Sequence, residues 1–253
     1  MVGPARRGLR GAAPSRRGAA LVGALAVVLL VLVGVLGACS STGGATATEA
    51  TATSVDRADA VPGTGVADPA AGPGLVAVVG DSITERGQAV LVDVLGPTWP
   101  LAIDGRSGYR VAEQQPAAEE LARQDPSQVV VNLGSNDVLQ GADLERAAAE
   151  LRTMIATFPR AACIHLVTIN EHMVSGLGSR TDAAVELNAA IASIAAEDPR
   201  IDLVDWAAAV EQDEAGSDGP LVPDTIHPSR RGQLLLAGLY ADALAGCPAP
   251  AQQ

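Results

Sequence analysis

The amino-acid sequence predicts an α/β protein, a three-layer αβα sandwich built on a five-stranded parallel sheet. The first observation behind this prediction is that short apolar segments of strand length alternate five times with longer segments of helical periodicity. The second is that the apolar segments are mostly continuous. Continuous apolar strands are typical of a sheet that helices cover on both faces.

The five strands are predicted in order along the chain. Residues 75–79 (LVAVV), 129–133 (VVVNL) and 164–169 (IHLVTI) are apolar runs of strand length, and residues 101–103 and 201–204 are weaker versions. Because neighbouring parallel strands need long crossover connections, the helices between them cover the two faces of the sheet.

Helical patterns fill the intervals between the strands. Apolar residues recur at the spacing of an α-helix over residues 88–95, 111–123, 144–157, 182–196 and 229–244. The folded unit is predicted to span residues 74–247, an ordinary size for one domain, with a tail over residues 248–253.

The first 38 residues are predicted to be an export signal. Five arginines and no acidic residue precede an uncharged apolar stretch over residues 19–38 that ends in small residues. The segment Leu36-Gly37-Ala38-Cys39 resembles the lipobox of bacterial lipoproteins, which implies cleavage before Cys39 and acylation of that cysteine. An uncleaved anchor is the alternative, because about 20 apolar residues can also span a bilayer. Either way, we expect an exported domain tethered to the membrane outside the cytoplasm.

Residues 39–73 are predicted to be the lipidated Cys39 and a flexible linker, because residues 40–73 are mainly Thr, Ala, Ser, Gly and Pro. Removal of residues 1–38 takes away five of the 17 basic residues and none of the 29 acidic ones, which leaves a formal charge of −17. Such a surface repels nucleic acid and anionic lipid headgroups, so neither is expected as a direct ligand.

Two further cysteines, Cys163 and Cys247, are candidates for a disulfide. An isolated pair of cysteines in an exported protein often forms a bridge. Cys163 begins a predicted strand and Cys247 follows the last predicted helix, so both lie at the same end of the sheet.

Polar clusters stand where the predicted strands end. Ligands of open parallel sheets bind beyond these carboxyl ends. The clusters are Gly80-Asp81-Ser82-Ile83-Thr84, Asp104-Gly105-Arg106-Ser107-Gly108 and Gly134-Ser135-Asn136-Asp137, and a fourth, Asp224-Thr225-Ile226-His227-Pro228, precedes the last helix. We expect all four clusters to converge on one edge of the sheet.

The side chains of these clusters are complementary in chemistry. A serine hydroxyl such as that of Ser82 becomes a nucleophile when a base takes its proton, and His227 has a carboxylate, Asp224, three residues away to orient it. A tetrahedral intermediate also needs hydrogen-bond donors, for which the candidates are the N–H groups of Ser82 and Gly105 and the amide of Asn136. The alternatives are a helix cap for Ser82 and turn roles for Asn136 and Gly105.

These four clusters resemble the blocks of the SGNH (GDSL-type) hydrolase family, in the family's order and across nearly the whole predicted domain. The resemblance implies that Ser82 is the nucleophile and that Asp224 and His227 complete its triad. It also implies an oxyanion hole made by Ser82, Gly105 and Asn136. It further implies a flavodoxin-like sheet, no metal or organic cofactor, and hydrolysis or transfer of acyl esters.

A looser likeness concerns the end of the domain. Val204-Asp205-Trp206, followed by DTIHPS and Gly232, is similar to SGNH domains of cell-wall O-acetyltransferases. Those domains often lack the aspartate that here follows Asn136, which points back towards ordinary esterases. Water and a sugar hydroxyl therefore both stay open as the acyl acceptor.

Three more residues are candidates for the substrate pocket. Arg106 and Tyr109 stand beside Gly105, where the alternative is a salt bridge and a packed ring. His172 follows the fourth strand at the carboxyl edge of the sheet, where the polar clusters converge. The alternative is an ordinary loop residue. His165, inside an apolar strand, is expected in the core.

The sequence therefore predicts an extracytoplasmic serine esterase that hydrolyses acyl esters, with short-chain or acetyl groups favoured. An acylated glycan is a possible substrate as well as a small ester. One alternative is an O-acetyltransferase acting on a cell-surface glycan. The other is a lipoprotein that binds glycans without turnover.

Overall fold

The computed structural model describes residues 74–213 and 217–248. The predicted export signal, Cys39, the linker up to residue 73 and residues 249–253 of the tail lie outside the described residues. The strands of the main sheet are β1 (Val76–Gly80), β2 (Leu101–Gly105), β3 (Gln128–Asn132), β4 (Cys163–Val167) and β7 (Ile201–Val204). A short antiparallel hairpin consists of β5 (Val174–Ser175) and β6 (Gly178–Ser179).

Seven helices are formed by the described residues. They are α1 (Ser82–Leu95), α2 (Val111–Ala122), α3 (Ser135–Gln140), α4 (Leu144–Ala156), α5 (Thr181–Glu197), α6 (Trp206–Glu211) and α7 (Arg230–Gly246). None of these described helices is long and apolar enough to cross a bilayer.

The main sheet has the strand order β2-β1-β3-β4-β7, and all its neighbouring strands are parallel. The chain winds outward in one direction from β1 to β2 and in the other from β3 to β7, which is the flavodoxin-like order. The predicted three-layer sandwich with five parallel strands is therefore confirmed.

The strand side chains supply two hydrophobic cores, one on each face of the sheet. In β1, Ala77 and Val79 belong to the core that α2, α4 and α5 cover, whereas Val76 and Val78 belong to the core under α1 and α7. All four residues are fully buried. Burial of each valine side chain contributes about 1.5–3 kcal/mol relative to exposure, which explains why the strands are apolar throughout.

Local signals that lack apolar periodicity account for the differences from the predicted elements. The first helix begins at Ser82 instead of residue 88, because the side chain of Asp81 caps it by accepting a hydrogen bond from the N–H of Ile83 at 2.9 Å. The helices α3 and α6 have six residues each and the hairpin strands have two, so they are too short to show a period in the sequence.

A disulfide joins Cys163, the first residue of β4, to Cys247, the residue after α7, with 6.0 Å between their Cα atoms. It fastens the end of the last helix to the amino-terminal edge of the sheet.

Candidate active site

The carboxyl edge of the sheet brings the four polar segments together. Residues 81–84 follow β1, residues 106–109 follow β2, and residues 134–137 follow β3, while residues 224–228 lead into α7. β1 stands at the point where the winding of the sheet reverses, and ligands of open α/β sheets bind at that point.

Ser82, His227 and Asp224 form a continuous chain of hydrogen bonds. The Oγ atom of Ser82 lies 3.0 Å from Nε2 of His227, and Nδ1 of His227 lies 2.8 Å from Oδ2 of Asp224. An ionised carboxylate only accepts hydrogen bonds, so Nδ1 carries the proton and Nε2 accepts the hydroxyl proton of Ser82. This arrangement can deprotonate a serine and stabilise the imidazolium that results.

The carboxylate of Asp224 is held in its charged form. Its Oδ1 accepts hydrogen bonds from the backbone N–H groups of Ile226 at 3.0 Å and His227 at 2.6 Å. Partial burial acts to raise the pKa of Asp224, but the hydrogen bonds from His227 and Ile226 outweigh it and lower the pKa to about 2. Asp224 therefore stays ionised at neutral pH and fixes the tautomer of the imidazole.

Ser82 is the first residue of α1, whose amino-terminal end carries partial positive charge. Its side chain is almost buried, with 8% of the residue exposed. Among the described residues, the backbone N–H of Ser82 has no hydrogen-bond partner, so it is available to a developing negative charge.

Asn136, the second residue of α3, lies against the segment that precedes Ser82. Its Nδ2 donates to the backbone carbonyl of Tyr109 at 3.0 Å and to Oδ2 of Asp81 at 3.3 Å. The loop after β2, the start of α1 and the start of α3 thus meet at this one amide.

The structure differs from the sequence-based prediction at Gly105. A Cβ atom on Gly105 would lie 2.5 Å from the backbone nitrogen of Glu85, so the residue lacks a side chain because α1 packs closely on β2. The N–H of Arg106 donates to the carbonyl of Gly80 at 3.2 Å. Alternate residues of a parallel strand face its neighbour, so the N–H of Gly105 points away from β1 and from Ser82. The predicted role of Gly105 as an oxyanion donor is therefore wrong.

A second glycine, three residues further on, has the free N–H that Gly105 was expected to supply. Gly108 has a φ of +81°, and its N–H has no hydrogen-bond partner among the described residues. Its carbonyl accepts from the side chain of Gln140 at 2.8 Å, and the next carbonyl, that of Tyr109, accepts from Asn136. Both glycines are visible in the sequence IDGRSG. Which of them has a free N–H depends on the residue at which β2 ends, and this the sequence does not give.

Arg106 and Tyr109 lie on the exposed rim beside Asn136. The guanidinium of Arg106 binds both carboxylate oxygens of Asp104, at 2.9 and 3.0 Å, and its Cζ lies 5.8 Å from the centroid of the Tyr109 ring. The predicted alternative, a salt bridge and a packed ring, is present. Tyr109 nevertheless exposes 36% of its surface and can still meet a ligand.

His172 lies outside the hydrogen-bonded chain of Ser82 and His227. Its Nε2 pairs with the carboxylate of Glu211 at 2.5 Å, and its backbone N–H donates to the side chain of Asn170 at 3.0 Å. The sequence-based alternative of an ordinary loop residue fits this placement. His165 is 1% exposed and contacts Gln128 at 3.0 Å, as a core residue does.

Sequence reasoning missed two buried carboxyl groups, Asp81 and Asp137, beneath Ser82 and Asn136. Asp81 is fully buried and Asp137 is 1% exposed, and Oδ2 of Asp137 accepts from the N–H of Val111 at 3.1 Å. Burial, with a contribution from the charge of Asp137, raises the pKa of Asp81 to about 7. Burial likewise raises the pKa of Asp137 to about 6. No sequence pattern signals burial of an acid directly after a strand.

The raised pKa of Asp81 predicts that stability falls as pH rises from about 4 to about 7. In this window the native state holds a proton that the unfolded chain has released, so the free energy of unfolding decreases. Asp81→Asn cannot ionise and keeps an acceptor for Ile83. We expect the variant to show a flatter pH dependence of stability, with a free energy of unfolding about 1–3 kcal/mol higher at pH 8 than that of the unchanged chain. Urea unfolding at several pH values measures this free energy.

The exposed carboxylate of Asp93 provides the matched control for this change. Its side chain is 70% exposed, so Asp93→Asn should leave the pH dependence of stability as it is in the unchanged chain. Equal slopes for Asp81→Asn and the unchanged chain would contradict the prediction.

The fold and the site together define a doubly wound α/β protein with a serine, a histidine and an aspartate linked at the switch point of its sheet. The model of the GDSL-like lipase/acylhydrolase family matches residues 78–235, from β1 into α7. The chain belongs to this family and is accordingly an ester-cleaving hydrolase. No curated protein sequence matches the chain significantly.

Solved structures with the same fold come from several sources. A GDSL-like lipase from Bacteroides thetaiotaomicron has 20% identity and a TM-score of 0.56, over 68% of this chain and 87% of the lipase. An acetylxylan esterase from Geobacillus stearothermophilus has 21% identity and a TM-score of 0.55, over 68% and 95%. An alpha/beta hydrolase enzyme from the metagenome of Lake Arreo, Spain, has 18% identity and a TM-score of 0.58, over 71% and 98%. At these identities the likeness shows the fold alone.

Proposed function

We propose that this chain is an exported, lipid-anchored serine esterase that hydrolyses short-chain acyl esters, acetyl esters above all, through an acyl-enzyme on Ser82. The observation that carries the proposal is the chain of hydrogen bonds from Ser82 Oγ to His227 Nε2 at 3.0 Å and from His227 Nδ1 to Asp224 Oδ2 at 2.8 Å. A helix cap alone would not require a histidine on the hydroxyl of Ser82.

The reaction has two halves. The Oγ atom of Ser82 attacks the ester carbonyl carbon while its proton passes to Nε2 of His227, and Asp224 stabilises the imidazolium. The tetrahedral intermediate collapses, His227 returns the proton to the departing alcohol, and the acyl group stays on Ser82. Water then attacks the acyl-enzyme with His227 again as the base, which releases the acid and restores the serine.

The oxyanion of the tetrahedral intermediate is stabilised by the N–H groups of Ser82 and Gly108 and by the amide of Asn136. Both N–H groups are free of partners among the described residues. The hydrogen bond from Nδ2 of Asn136 to Asp81 is 3.3 Å long, beyond the usual range, so this N–H is readily redirected to a stronger acceptor such as the oxyanion. Removal of one such donor commonly costs about 10²–10³-fold in kcat.

An acetylated glycan fits the rim of the site better than a lipid does. The exposed ring of Tyr109 and the guanidinium of Arg106 offer a flat surface and hydrogen-bond donors for a sugar. The solved structure of an acetylxylan esterase with the same fold is in keeping with this substrate class. An acetyl group needs no deep acyl cavity.

The location of the enzyme is inferred from the sequence of its first 39 residues. The basic segment, the apolar stretch and the lipobox-like Leu36-Gly37-Ala38-Cys39 support export, cleavage before Cys39 and anchoring through an acylated cysteine. The linker over residues 40–73 would then hold the site away from the bilayer.

The test uses the full chain produced in a bacterium and purified from the membrane fraction in detergent. Release of p-nitrophenol from acetate, butyrate and octanoate esters is measured beside acetate release from an acetylated xylooligosaccharide. We expect turnover to fall steeply with acyl length. We also expect a fluorophosphonate probe to label the unchanged chain but not Ser82→Ala, and mass spectrometry to identify acylated Cys39 as the amino terminus.

Three other results would each contradict a part of this proposal. Faster acetyl transfer to an added saccharide than to water would make the protein an O-acetyltransferase. Absence of both turnover and labelling would leave a glycan-binding protein that keeps the residues of the site. A mature chain that begins at Met1 in the membrane fraction would replace the lipid anchor with an uncleaved one.

A further inference from the structure

The loop that carries Asp224 and His227 contains a residue in an unfavourable backbone conformation. Thr225 has a φ of +67°. The left-handed region is rarely occupied by residues with a branched Cβ, so a threonine adopts it only where the surroundings hold it there. Thr225 stands between the two residues of the acid–base pair, and its backbone direction decides how they face each other.

The polar groups of Thr225 are each engaged in a hydrogen bond. Its carbonyl accepts from Nδ2 of Asn170 at 2.8 Å, and its Oγ1 accepts from the N–H of Val174 at 3.1 Å. Its own N–H donates to the carbonyl of Val222 at 3.3 Å. Two of these three bonds come from the segment over residues 170–174, which follows β4 and ends at the first residue of the hairpin, and this segment is distant from Thr225 in sequence.

Asn170 is itself fixed in place. It is 2% exposed, and its Oδ1 accepts from the N–H of His172 at 3.0 Å. The residue before it, Ile169, exchanges hydrogen bonds of 2.8 Å with the buried side chain of Asn188 on α5. The amide of Asn170 is therefore a rigid donor aimed at the loop.

The conformation of Thr225 has a direct consequence for Asp224. Past this residue the chain turns so that the N–H groups of Ile226 and His227 both point back to Oδ1 of Asp224, while Oδ2 meets the imidazole of His227. A relaxed Thr225 would reorient at least one of these N–H groups, because the φ of residue 225 sets the path of the backbone that follows.

We propose that Asn170 and Thr225 are positioning residues, through which the segment over residues 170–174 holds the Asp224–His227 pair in register with Ser82. This inference rests on the proposed function, because it assigns the two residues to the same reaction. Neither touches Ser82 or the reacting atoms, so they act through the histidine. Misplacement of a catalytic group by about 1 Å can cost about 10²-fold in rate.

The test compares Asn170→Ala, Thr225→Val and Thr225→Asn. Thr225→Val keeps the branched Cβ but loses the Oγ1 acceptor, whereas asparagine tolerates a positive φ and offers a side-chain oxygen to Val174. We expect Asn170→Ala and Thr225→Val to lower kcat for acetate ester hydrolysis about 10–100-fold with KM within about twofold. Thr225→Asn should recover most of the loss.

Two further measurements separate positioning from simple loss of stability. The low-field proton resonance of the His227 Nδ1–H, assigned by its absence in His227→Ala, should shift or broaden in Asn170→Ala and Thr225→Val. It should be unchanged in Gln128→Ala, which loses side-chain hydrogen bonds to the carbonyl of Leu244 and to His165 at the opposite end of the sheet. Gln128→Ala should also keep its kcat.

The resonance also distinguishes this inference from the proposed function, because it does not require turnover. If the unchanged chain hydrolyses no ester but the resonance moves in the two variants, the positioning inference stands and the esterase proposal fails. An unmoved resonance in folded Asn170→Ala, or a kcat of Thr225→Asn as low as that of Thr225→Val, would overturn the inference. If Thr225→Val does not fold, Thr225→Gly takes its place, because glycine also lacks the Oγ1 acceptor but adopts a positive φ without strain.

Discussion

Replacement of Ser82 by alanine is expected to lower kcat for acetate ester hydrolysis by about 10⁴-fold or more while the fold is retained. The variant removes the Oγ atom that lies 3.0 Å from His227, and no other hydroxyl takes its place on the imidazole among the described residues. The helix cap is unaffected, because Asp81 and not Ser82 accepts the hydrogen bond from Ile83. The loss is therefore chemical, and it is measured as the initial rate of p-nitrophenol release with the melting temperature as a check.

The chain offers a closely matched control in Ser135. This serine is 2% exposed and follows the strand next to β1, and its Oγ has no hydrogen-bond partner within the described part of the chain. Ser135→Ala should leave kcat within about threefold, since it removes an unsatisfied hydroxyl outside the hydrogen-bonded chain.

Ser82→Ala combined with His227→Ala should be no slower than either single variant by more than about tenfold, because the two residues act as a unit. Multiplicative losses would indicate that they act separately.

The fold could be predicted from the sequence because its information is local. Each central strand is an uninterrupted apolar run, and such runs alternate with helical periodicity, which leaves few topologies open. The helices α3 and α6 escaped this reasoning, since six residues complete fewer than two turns. The start of α1 was placed too late for a related reason, because its first turn is determined by the Asp81 cap.

The site was predictable to the extent that it lies at strand ends. Ser82, Asn136 and His227 are found where parallel-sheet topology and the family resemblance put them. The direction of the Gly105 N–H could not be predicted, because a shift of one residue in strand register would turn it to the other side of β2. Asn170 and Thr225 meet across 55 positions in sequence through a bond from a side chain to a backbone carbonyl. A threonine with positive φ has no sequence signature, so only the folded chain reveals their contact.

Two different parts of the fold hold the residues of the site in place. The buried sheet fixes the starts of α1 and α3, and with them Ser82 and Asn136, with little freedom. The loop of Asp224 and His227 has no strand behind it and depends on contacts from the segment after β4. Its geometry is consequently the feature of the site most open to change by substitutions outside the triad.

The second large effect concerns the disulfide, which is expected to contribute about 4–5 kcal/mol to the free energy of unfolding. It closes a loop of 84 residues, and the entropy that a bridge removes from the unfolded chain grows with loop length. Cys163→Ala with Cys247→Ala should lower the melting temperature by about 10–15 °C in a domain of this size. Activity at 25 °C should persist, because the bridge lies at the amino-terminal edge of the sheet and the site lies at the other.

A reductant supplies the control for this effect. Dithiothreitol should lower the melting temperature of the unchanged chain towards that of the double variant and leave the double variant itself unaffected. Since Cys163 is only 6% exposed in the folded protein, reduction should be slow below the melting transition and fast within it. A double variant that melts with the unchanged chain would mean that packing of α7 alone holds this edge, and that the unfolded chain gains little freedom when the bridge is lost.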